Sequence, residues 1–306
     1  AVYRCLRWLR KTQNDDGSWG GTMEPKTQAT GLALLVFLKH GETPASVEFG
    51  ATIEKGLKFL LSPPEDEPNG QEGDLTAIEH GIRSRALCEA YGMTRIPFLL
   101  PACTNAANTI LTAQRPSGLW SMRYEKEDGK DEVEASVWQM LAIKSALMAG
   151  LDAATLRPAL KRGADALAET VSDDGKTTGP ATLCMQVAGQ GRTPACKTTI
   201  AALDGLTMDW EKPGFSNPIF HWYFITQAKF HEGGSAWVEW NRSFAPELVK
   251  RQSIEKDAIE WQYRGNDRKF DIGHWVSPGT DERYGTVYAT ALCCLMLENY
   301  YAYLPT

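Results

Sequence analysis

Two kinds of apolar pattern alternate along the chain. The segment from Val2 to Lys11 places Val2, Leu6 and Leu9 on one helical face and its basic residues elsewhere, which predicts an amphipathic helix with one exposed side. The segment 31–38 reads GLALLVFL and is apolar all round, so it predicts a helix that is covered on nearly every side. Further helices are expected at 49–61, 77–91, 98–113, 133–148, 156–171, 236–251 and 287–297.

This alternation indicates a repeated helical hairpin with a period of about 50 residues, a unit that buries its apolar face only by stacking on its neighbours. No Asn-Gly or Asp-Gly turn is flanked by alternating β-branched residues, so no strand is expected. If the buried helices form an inner ring and the amphipathic helices an outer ring, the chain is an all-α, α/α toroid of the α6/α6 type. A straight solenoid would need a polar end, whereas the last segment, 287–297, is as apolar as the internal ones.

A short sequence motif occurs twice in the connections between these helices. QNDDGSWG at 13–20 and QRPSGLWS at 114–121 share the spacing Gln, three residues, Gly, one residue, Trp, and a degenerate copy stands at 73–75. Glycine can turn the chain, tryptophan can cover a junction, and the glutamine amide can bond backbone groups at a helix end. We expect the motif to form the corner between an outer helix and the next inner one.

Charge and cysteine usage restrict the partners. The net charge of −6 argues against nucleic acid, because binding phosphates requires a basic face. No run of about 18 apolar residues is present, so no transmembrane segment is expected. The seven cysteines are scattered through apolar helices, which favours buried free thiols and a cytoplasmic location. Export stays open, since Ala1 is not a natural start and the N-terminus can have been trimmed.

At the Gln–Gly–Trp corners the chain resembles the prenyltransferase and squalene-cyclase repeat family, in particular its single-toroid bacterial members. The similarity extends over most of the length, at the stretches 8–20, 80–94, 138–151, 221–241 and 288–305. The resemblance implies one α/α-toroid domain over residues 1–306, with an apolar central cavity and an isoprenoid as the hydrophobic ligand. One departure stands at 207–220, a stretch rich in Pro and Gly where an outer helix is expected to be reduced.

Metal and cofactor chemistry find no support in the sequence. No cysteine follows an Asp at the spacing that zinc-dependent protein prenyltransferases use, and the histidines show no H-E-x-x-H spacing. We therefore predict no metal and no cofactor, and a zinc-dependent protein prenyltransferase is disfavoured.

One carboxylate falls at the place where the resemblance implies a catalytic acid. Proton-initiated cyclases of the family carry an Asp-x-Asp-Asp motif at the start of an inner helix, and here that place reads EVEAS, with Glu134 in the position of the central acid. A proton donor of this kind must be desolvated yet kept protonated. The alternative is that the acidic residues only favour a helix N-terminus. His80 is a second acid/base candidate at the cavity mouth, or a structural histidine.

Substrate contacts are expected from side chains on the inner helices, because aromatic faces stabilise cations. The candidates are Trp138, Gln139, Trp222, Tyr223 and Tyr288. Core packing is the alternative role for each of them.

Three functional hypotheses follow. The first is a terpenoid cyclase-type enzyme in which Glu134 protonates a polyene, with a second domain or subunit closing the cavity. The second is a non-catalytic toroid that binds a lipid, a peptide or a protein. The third is a carbohydrate-active α/α barrel, in which paired carboxylates perform acid/base chemistry. The sequence does not decide whether the chain is an enzyme.

Overall fold

The computed structural model describes residues 1–62, 76–125, 129–171, 176–263, 266–280 and 284–300. The degenerate corner at 73–75 lies outside these residues. Within them the chain forms twelve α-helices, one β-hairpin and a final 3₁₀ turn. The helices are α1 (Val2–Thr12), α2 (Lys26–Lys39), α3 (Gly50–Leu61), α4 (Ala77–Thr94), α5 (Leu99–Ala113), α6 (Val133–Met148), α7 (Ala153–Ala168), α8 (Thr178–Val187), α9 (Pro194–Ala201), α10 (Pro218–Glu232), α11 (Gly234–Arg251) and α12 (Thr286–Leu297). The hairpin consists of β1 (Ser253–Tyr263) and β2 (Asn266–His274), and the turn is Glu298–Tyr300.

The even-numbered helices form a closed inner ring. Each packs on the next even-numbered helix, and α12 packs back on α2. Helix α2 is buried from Thr27 to Leu38, and α12 is buried from Val287 to Leu297. Burial on all sides is what the uniformly apolar segments predicted, because such a helix is stable only when other elements cover it. The all-α toroid is therefore confirmed.

The odd-numbered helices form the outer layer. Helix α1 buries only Val2, Cys5, Leu6 and Leu9, so one side stays exposed as its amphipathic pattern predicted. The reduced member is α9, which has eight residues, and the Pro- and Gly-rich stretch at 207–220 forms most of the following connection and the first three residues of α10. All six outer positions are therefore occupied, with the short helix lying just before the stretch where the reduction was expected.

The two Gln–Gly–Trp corners are built alike. Gln13 Nε2 donates to the carbonyl of the corner glycine and to the carbonyl of Thr52 in α3, both at 2.9 Å. Gln114 Nε2 repeats this with its own glycine at 2.8 Å and with Ala159 in α7 at 2.9 Å. Each glutamine thus ties the end of one outer helix to the next outer helix.

The tryptophans of these corners fasten the chain to the helix that precedes them. Trp19 Nε1 donates to the carbonyl of Leu9 at 2.7 Å, and Trp120 Nε1 donates to that of Ile110 at 2.8 Å. Both indoles are fully buried. Because each covers apolar surface and also satisfies a carbonyl near a helix end, the corner role predicted for the motif is confirmed.

The β-hairpin corrects one detail of the all-α prediction, because no strand was expected. Strands β1 and β2 pair antiparallel, with the register interrupted between Glu255 and Ile259. This irregularity breaks the alternation of apolar residues, so the period of two on which strand recognition depends is lost.

The hairpin is inserted into a third corner that the sequence conceals. Gln252 follows α11 directly, and the rest of the motif stands at the end of the hairpin, where Gly273 and His274 are the last two residues of β2 and Trp275 follows them. Trp275 Nε1 donates to the carbonyl of Leu248 at 2.7 Å, as the other two tryptophans do to theirs. Gln252 Nε2 donates to the carbonyl of Ala1 at 3.0 Å, at the start of α1. This bond joins the last outer helix to the first.

The seven cysteines are free and buried, as expected. None of the described helices combines the length and the apolar composition that crossing a membrane requires.

Candidate functional site

The inner helices all begin at one end of the ring, which we call the mouth. Glu134 is the second residue of α6, and Tyr284 stands just before α12. The Tyr284 hydroxyl donates to Glu134 Oε1 at 2.6 Å. Since α6 and α12 are three positions apart in a ring of six, this bond spans the mouth from one side to the other. A carboxylate that accepts a hydrogen bond from a phenol brings two groups capable of proton transfer together, an arrangement suited to acid/base chemistry.

Aromatic and amide groups extend this pair. The Tyr284 ring packs on Tyr288 with a centroid distance of 4.4 Å. Asn217 Nδ2, just before α10, donates to the Tyr288 hydroxyl at 3.3 Å. The mouth therefore combines apolar ring faces with polar groups that have fixed directions, a composition typical of small-molecule sites.

A second carboxylate at this end, Glu24, has a structural task. It is buried and accepts the backbone N–H of Tyr288 at 2.6 Å and of Val287 at 3.3 Å. These are orphan donors of the first turn of α12, where a negative charge is favourable. Burial raises the pKa of Glu24, and the two backbone hydrogen bonds oppose that rise.

An open cleft adjoins the mouth on the side of Tyr284. It has a volume of about 340 Å³, and the described residues that line it are Val276, Ser277, Gly279, Thr280, Tyr284, Gly285 and Thr286. This volume is at the lower end of the range for ligand pockets. Tyr284 belongs both to the cleft wall and to the pair with Glu134, so it stands between the cleft and the ring interior.

Side chains cross the ring axis below the mouth. Trp138 stacks on Tyr223 with a centroid distance of 6.0 Å, and Arg85 Nη1 donates to the Tyr223 hydroxyl at 2.9 Å. Arg85 Nε also donates to Glu89 at 2.7 Å, which balances the buried guanidinium charge. The expected open apolar cavity is thus replaced at this depth by a layer of Trp138, Tyr223 and Arg85.

The two other predicted contact residues are held by protein groups. Gln139 is fully buried, donates through Nε2 to the carbonyl of Ala77 and accepts from the Tyr124 hydroxyl at 3.2 Å. Trp222 is buried and packs against Trp210 with a centroid distance of 5.6 Å.

His80 lies at the junction of α4, α6 and the connection that precedes α6. Its Nδ1 is 2.7 Å from the hydroxyl of Tyr124, and its ring is fully buried. Tyr124 has a φ of 60°, a left-handed conformation that costs a non-glycine residue about 1–3 kcal/mol. The Tyr124–His80 contact holds that strained connection against α4. His80 is thus held by Tyr124, whereas Glu134 is bonded to Tyr284.

The opposite end of the ring carries buried charges. Glu298 is fully buried and lies 3.5 Å from His40, and burial raises its pKa to about 7. Lys39 Nζ donates to the carbonyl of Leu295 and to Asn299, and burial lowers its pKa to about 8. Burial together with Lys39 and Lys144 lowers the pKa of His231 to about 4. Among the residues that the structure describes, no group of three His, Cys, Asp or Glu side chains is arranged to hold a metal ion.

Comparison with solved structures identifies the fold neighbours. No protein-family model and no curated protein matches the sequence. The fold is similar to that of cellobiose 2-epimerase from Bacillus thermoamylovorans B4167, with a TM-score of 0.64, 12% identity and 97% of each chain covered. It is equally similar to an α-1,6-mannanase of Salegentibacter sp. HEL1_6, an inactive variant in complex with α-1,6-mannotriose, with a TM-score of 0.64, 10% identity and 97% of each chain covered.

These neighbours overturn the resemblance to the prenyltransferase and squalene-cyclase family. The terpenoid cyclase function expected from that resemblance is wrong, and the isoprenoid ligand is unsupported. The inference from the Gln–Gly–Trp corners failed because the motif reflects how outer and inner helices are joined. That is a property of the architecture, and it does not indicate which reaction a protein catalyses.

Several residues of the mouth were not predicted from the sequence. Tyr284 and Asn217 stand in irregular connections, where no periodicity marks them, and the Tyr284 contact with Glu134 spans 150 positions. Glu24 gave a weak signal, an acid next to Pro25 before a buried helix, but its contact with α12 depends on ring closure.

Proposed function

We propose that this chain is a carbohydrate-active enzyme whose substrate binds at the mouth of the toroid, with Glu134 as the acid/base group. The observation that carries the proposal is the Glu134–Tyr284 pair at the start of the inner helices. The proposal is supported by the fold neighbours, one named as a sugar epimerase and the other as a mannanase bound to a mannotriose.

The chemistry common to both kinds of reaction is proton transfer on a sugar. Hydrolysis requires a proton on the leaving oxygen, and epimerisation requires a proton to leave and return at a carbon. Glu134 is half-buried, and its bond to Tyr284 provides a second group that can share the proton. Substrate binding in place of this bond would bring the carboxyl group against a sugar oxygen or carbon.

The remaining candidates take supporting roles in this proposal. Tyr284 and Tyr288 provide aromatic faces next to the cleft, and sugar rings pack well on such faces through their C–H groups. His80 positions the Tyr124 connection. Trp138 and Tyr223 form the floor that limits how far a substrate enters.

The test is turnover of a panel of oligosaccharides that includes cellobiose and α-1,6-mannotriose, followed by NMR to detect both cleavage and epimerisation. Glu134→Gln should lower turnover by at least about 100-fold, the usual contribution of general acid/base catalysis. Glu132→Gln is the matched control: it removes a half-buried carboxylate at the N-cap of the same helix and should retain turnover.

Full activity of Glu134→Gln would contradict the role of this residue, and absence of both binding and turnover across the panel would contradict the proposed function. Sugar binding without turnover would favour the second candidate, a non-catalytic toroid. That candidate is supported by the filled axis, where Trp138, Tyr223 and Arg85 occupy the place of a deep reaction chamber.

A further inference from the structure

The start of α12 is capped by a residue from a distant part of the chain. The N-cap residue of α12 is Gly285, which has no side chain that could accept a hydrogen bond. Glu24, two residues before α2, accepts the backbone N–H groups of Tyr288 and Val287 instead, although it lies 263 positions from Val287. A serine or an aspartate in place of the glycine would satisfy such donors locally. Capping alone therefore does not require the distant carboxylate.

Glu24 is fixed against the wall of the cleft. Its carbonyl accepts the N–H of Gly21 at 2.8 Å, which closes a turn before α2, and its side chain is 8% exposed. A Cβ on Gly285 would collide with Glu24 Oε2 and would lie 2.7 Å from Glu24 Cδ. The φ of Gly285 is −81°, which suits any residue, so the glycine is needed for the close approach of the carboxylate. Gly285 also lines the cleft, so only this glycine separates Glu24 from it.

The residue next to this junction is Tyr284. Its hydroxyl donates to Glu134 Oε1 at 2.6 Å, and its ring packs on Tyr288, whose N–H is bonded to Glu24. Glu24 thus holds both the backbone beside Tyr284 and the residue against which the Tyr284 ring packs. Because a hydrogen bond weakens steeply when its angle becomes poor, a displaced first turn of α12 would weaken the contact between the phenol and Glu134.

We propose that Glu24 is a positioning residue of the mouth, which fixes the first turn of α12 so that the Tyr284 hydroxyl stays on Glu134. The inference rests on the proposed function, in which Glu134 is the acid/base group, and it deepens that function by naming what controls the proton on Glu134. A carboxylate that accepts a hydrogen bond is stabilised in its charged form. Loss of the phenol contact should therefore raise the pH at which Glu134 releases its proton.

The experiment measures the titration midpoint of the Glu134 carboxyl group by ¹³C NMR, with the signal assigned by its absence from Glu134→Gln. Tyr284→Phe removes the donor and should raise the midpoint by about 1–2 pH units. Glu24→Gln leaves Tyr284 in the chain but presents an amide NH₂, which cannot accept, to one backbone N–H of α12. It should raise the midpoint by at least about 0.5 pH unit. The sign is informative, because removing a nearby negative charge alone would lower the midpoint.

Two further variants separate positioning from capping. Gly285→Ala keeps the charge of Glu24 but displaces its carboxylate, so it should also raise the midpoint, and it provides the test if Glu24→Gln does not fold. The matched control is Glu79→Gln. Glu79 also caps an inner helix at the mouth, since it accepts the Thr76 backbone N–H at 2.9 Å and the Thr76 hydroxyl at 2.6 Å at the start of α4. Its midpoint for Glu134 should equal that of the wild type.

A wild-type midpoint in both Glu24→Gln and Gly285→Ala would overturn the proposal, because Glu24 would then only cap α12. An unmoved midpoint in Tyr284→Phe, or an equal rise in Glu79→Gln, would overturn it as well. None of these titrations needs a substrate, so turnover of the oligosaccharide panel tests the proposed function separately. A chain without turnover but with the expected shifts would contradict the proposed function, while the coupling of Glu24 to Glu134 would stand.

Discussion

At the scale of single residues, the two ends of the ring use their carboxylates differently. Glu134 at the mouth is half-buried and bonded to a phenol, whereas Glu298 at the other end is fully buried beside His40 and Lys39. The former position could be predicted, because the start of an apolar helix is visible in sequence. The partner Tyr284 could not be predicted, since ring closure brings it to Glu134.

Glu298 should make stability depend on pH near neutrality. Burial raises its pKa from 4.5 to about 7, so the folded state holds a proton that the unfolded state has lost between these values. Glu298 therefore adds to the free energy of unfolding below pH 4.5. This stabilisation, at most about 3 kcal/mol, is lost as the pH rises to about 7. The pKa of His231 is lowered to about 4, so His231 has the opposite effect: its contribution to the free energy of unfolding grows as the pH rises from about 4 to 6.5.

The comparison that isolates Glu298 is urea unfolding of the wild-type chain and Glu298→Gln at several pH values from 4.5 to 7.5. The free energy of unfolding of the wild type relative to the variant should fall across this window. A difference that stays constant with pH would show that Glu298 does not titrate there.

At the scale of elements, the inner helices touch where one of them carries glycine. A Cβ on Gly81 of α4 would lie 2.8 Å from Gln139 Nε2 and 3.0 Å from Trp138 of α6. A Cβ on Gly31 of α2 would lie 2.7 Å from Ile82 of α4. The helices themselves could be predicted from apolar periodicity, but these close approaches could not, because a glycine in a helix does not reveal its neighbour.

Gly81→Ala should therefore lower the free energy of unfolding and Gly92→Ala should raise it, although both residues lie within α4. Alanine is about 1 kcal/mol more favourable than glycine in a helix interior. At Gly92 the added Cβ would meet Ala149 at an ordinary 3.6 Å, so that gain should be retained in part. At Gly81 the close contacts should outweigh the helix-propensity gain and lower the free energy of unfolding by about 1–3 kcal/mol. Equal changes in the urea midpoints of the two variants would refute this account.

At the scale of the whole molecule, closure depends on contacts between the first and last parts of the chain. Helix α12 packs on α1 and α2, and Gln252 donates to the carbonyl of Ala1. The uniformly apolar last helix indicated closure in advance, because an open end would expose it. The third corner was hidden because the hairpin separates Gln252 from Trp275, so no spacing rule detects it.

Gln252→Leu should loosen α1 selectively. The variant leaves the carbonyl of Ala1 without this donor and also removes the acceptor of Arg4 Nε at 2.8 Å. Hydrogen exchange of the amides in Val2–Thr12 should accelerate about 5- to 30-fold, equivalent to about 1–2 kcal/mol of local stability. Gln114→Leu is the control, since it should affect α5 and α7 and leave α1 protected. Equal exchange of α1 in both variants would mean that the Gln252 contact does not hold the ring closed.

The hairpin also has a meaning for how such rings diversify. In the third corner a complete two-stranded element stands between Gln252 and Trp275, yet the tryptophan keeps its bond to the preceding helix. The carbonyls that the corner tryptophans bond lie on the helices, so the peptide between the glutamine and the tryptophan is free to vary in length and shape. Each corner can thus accept an insertion, so that new loops form beside the mouth while the toroid itself is kept.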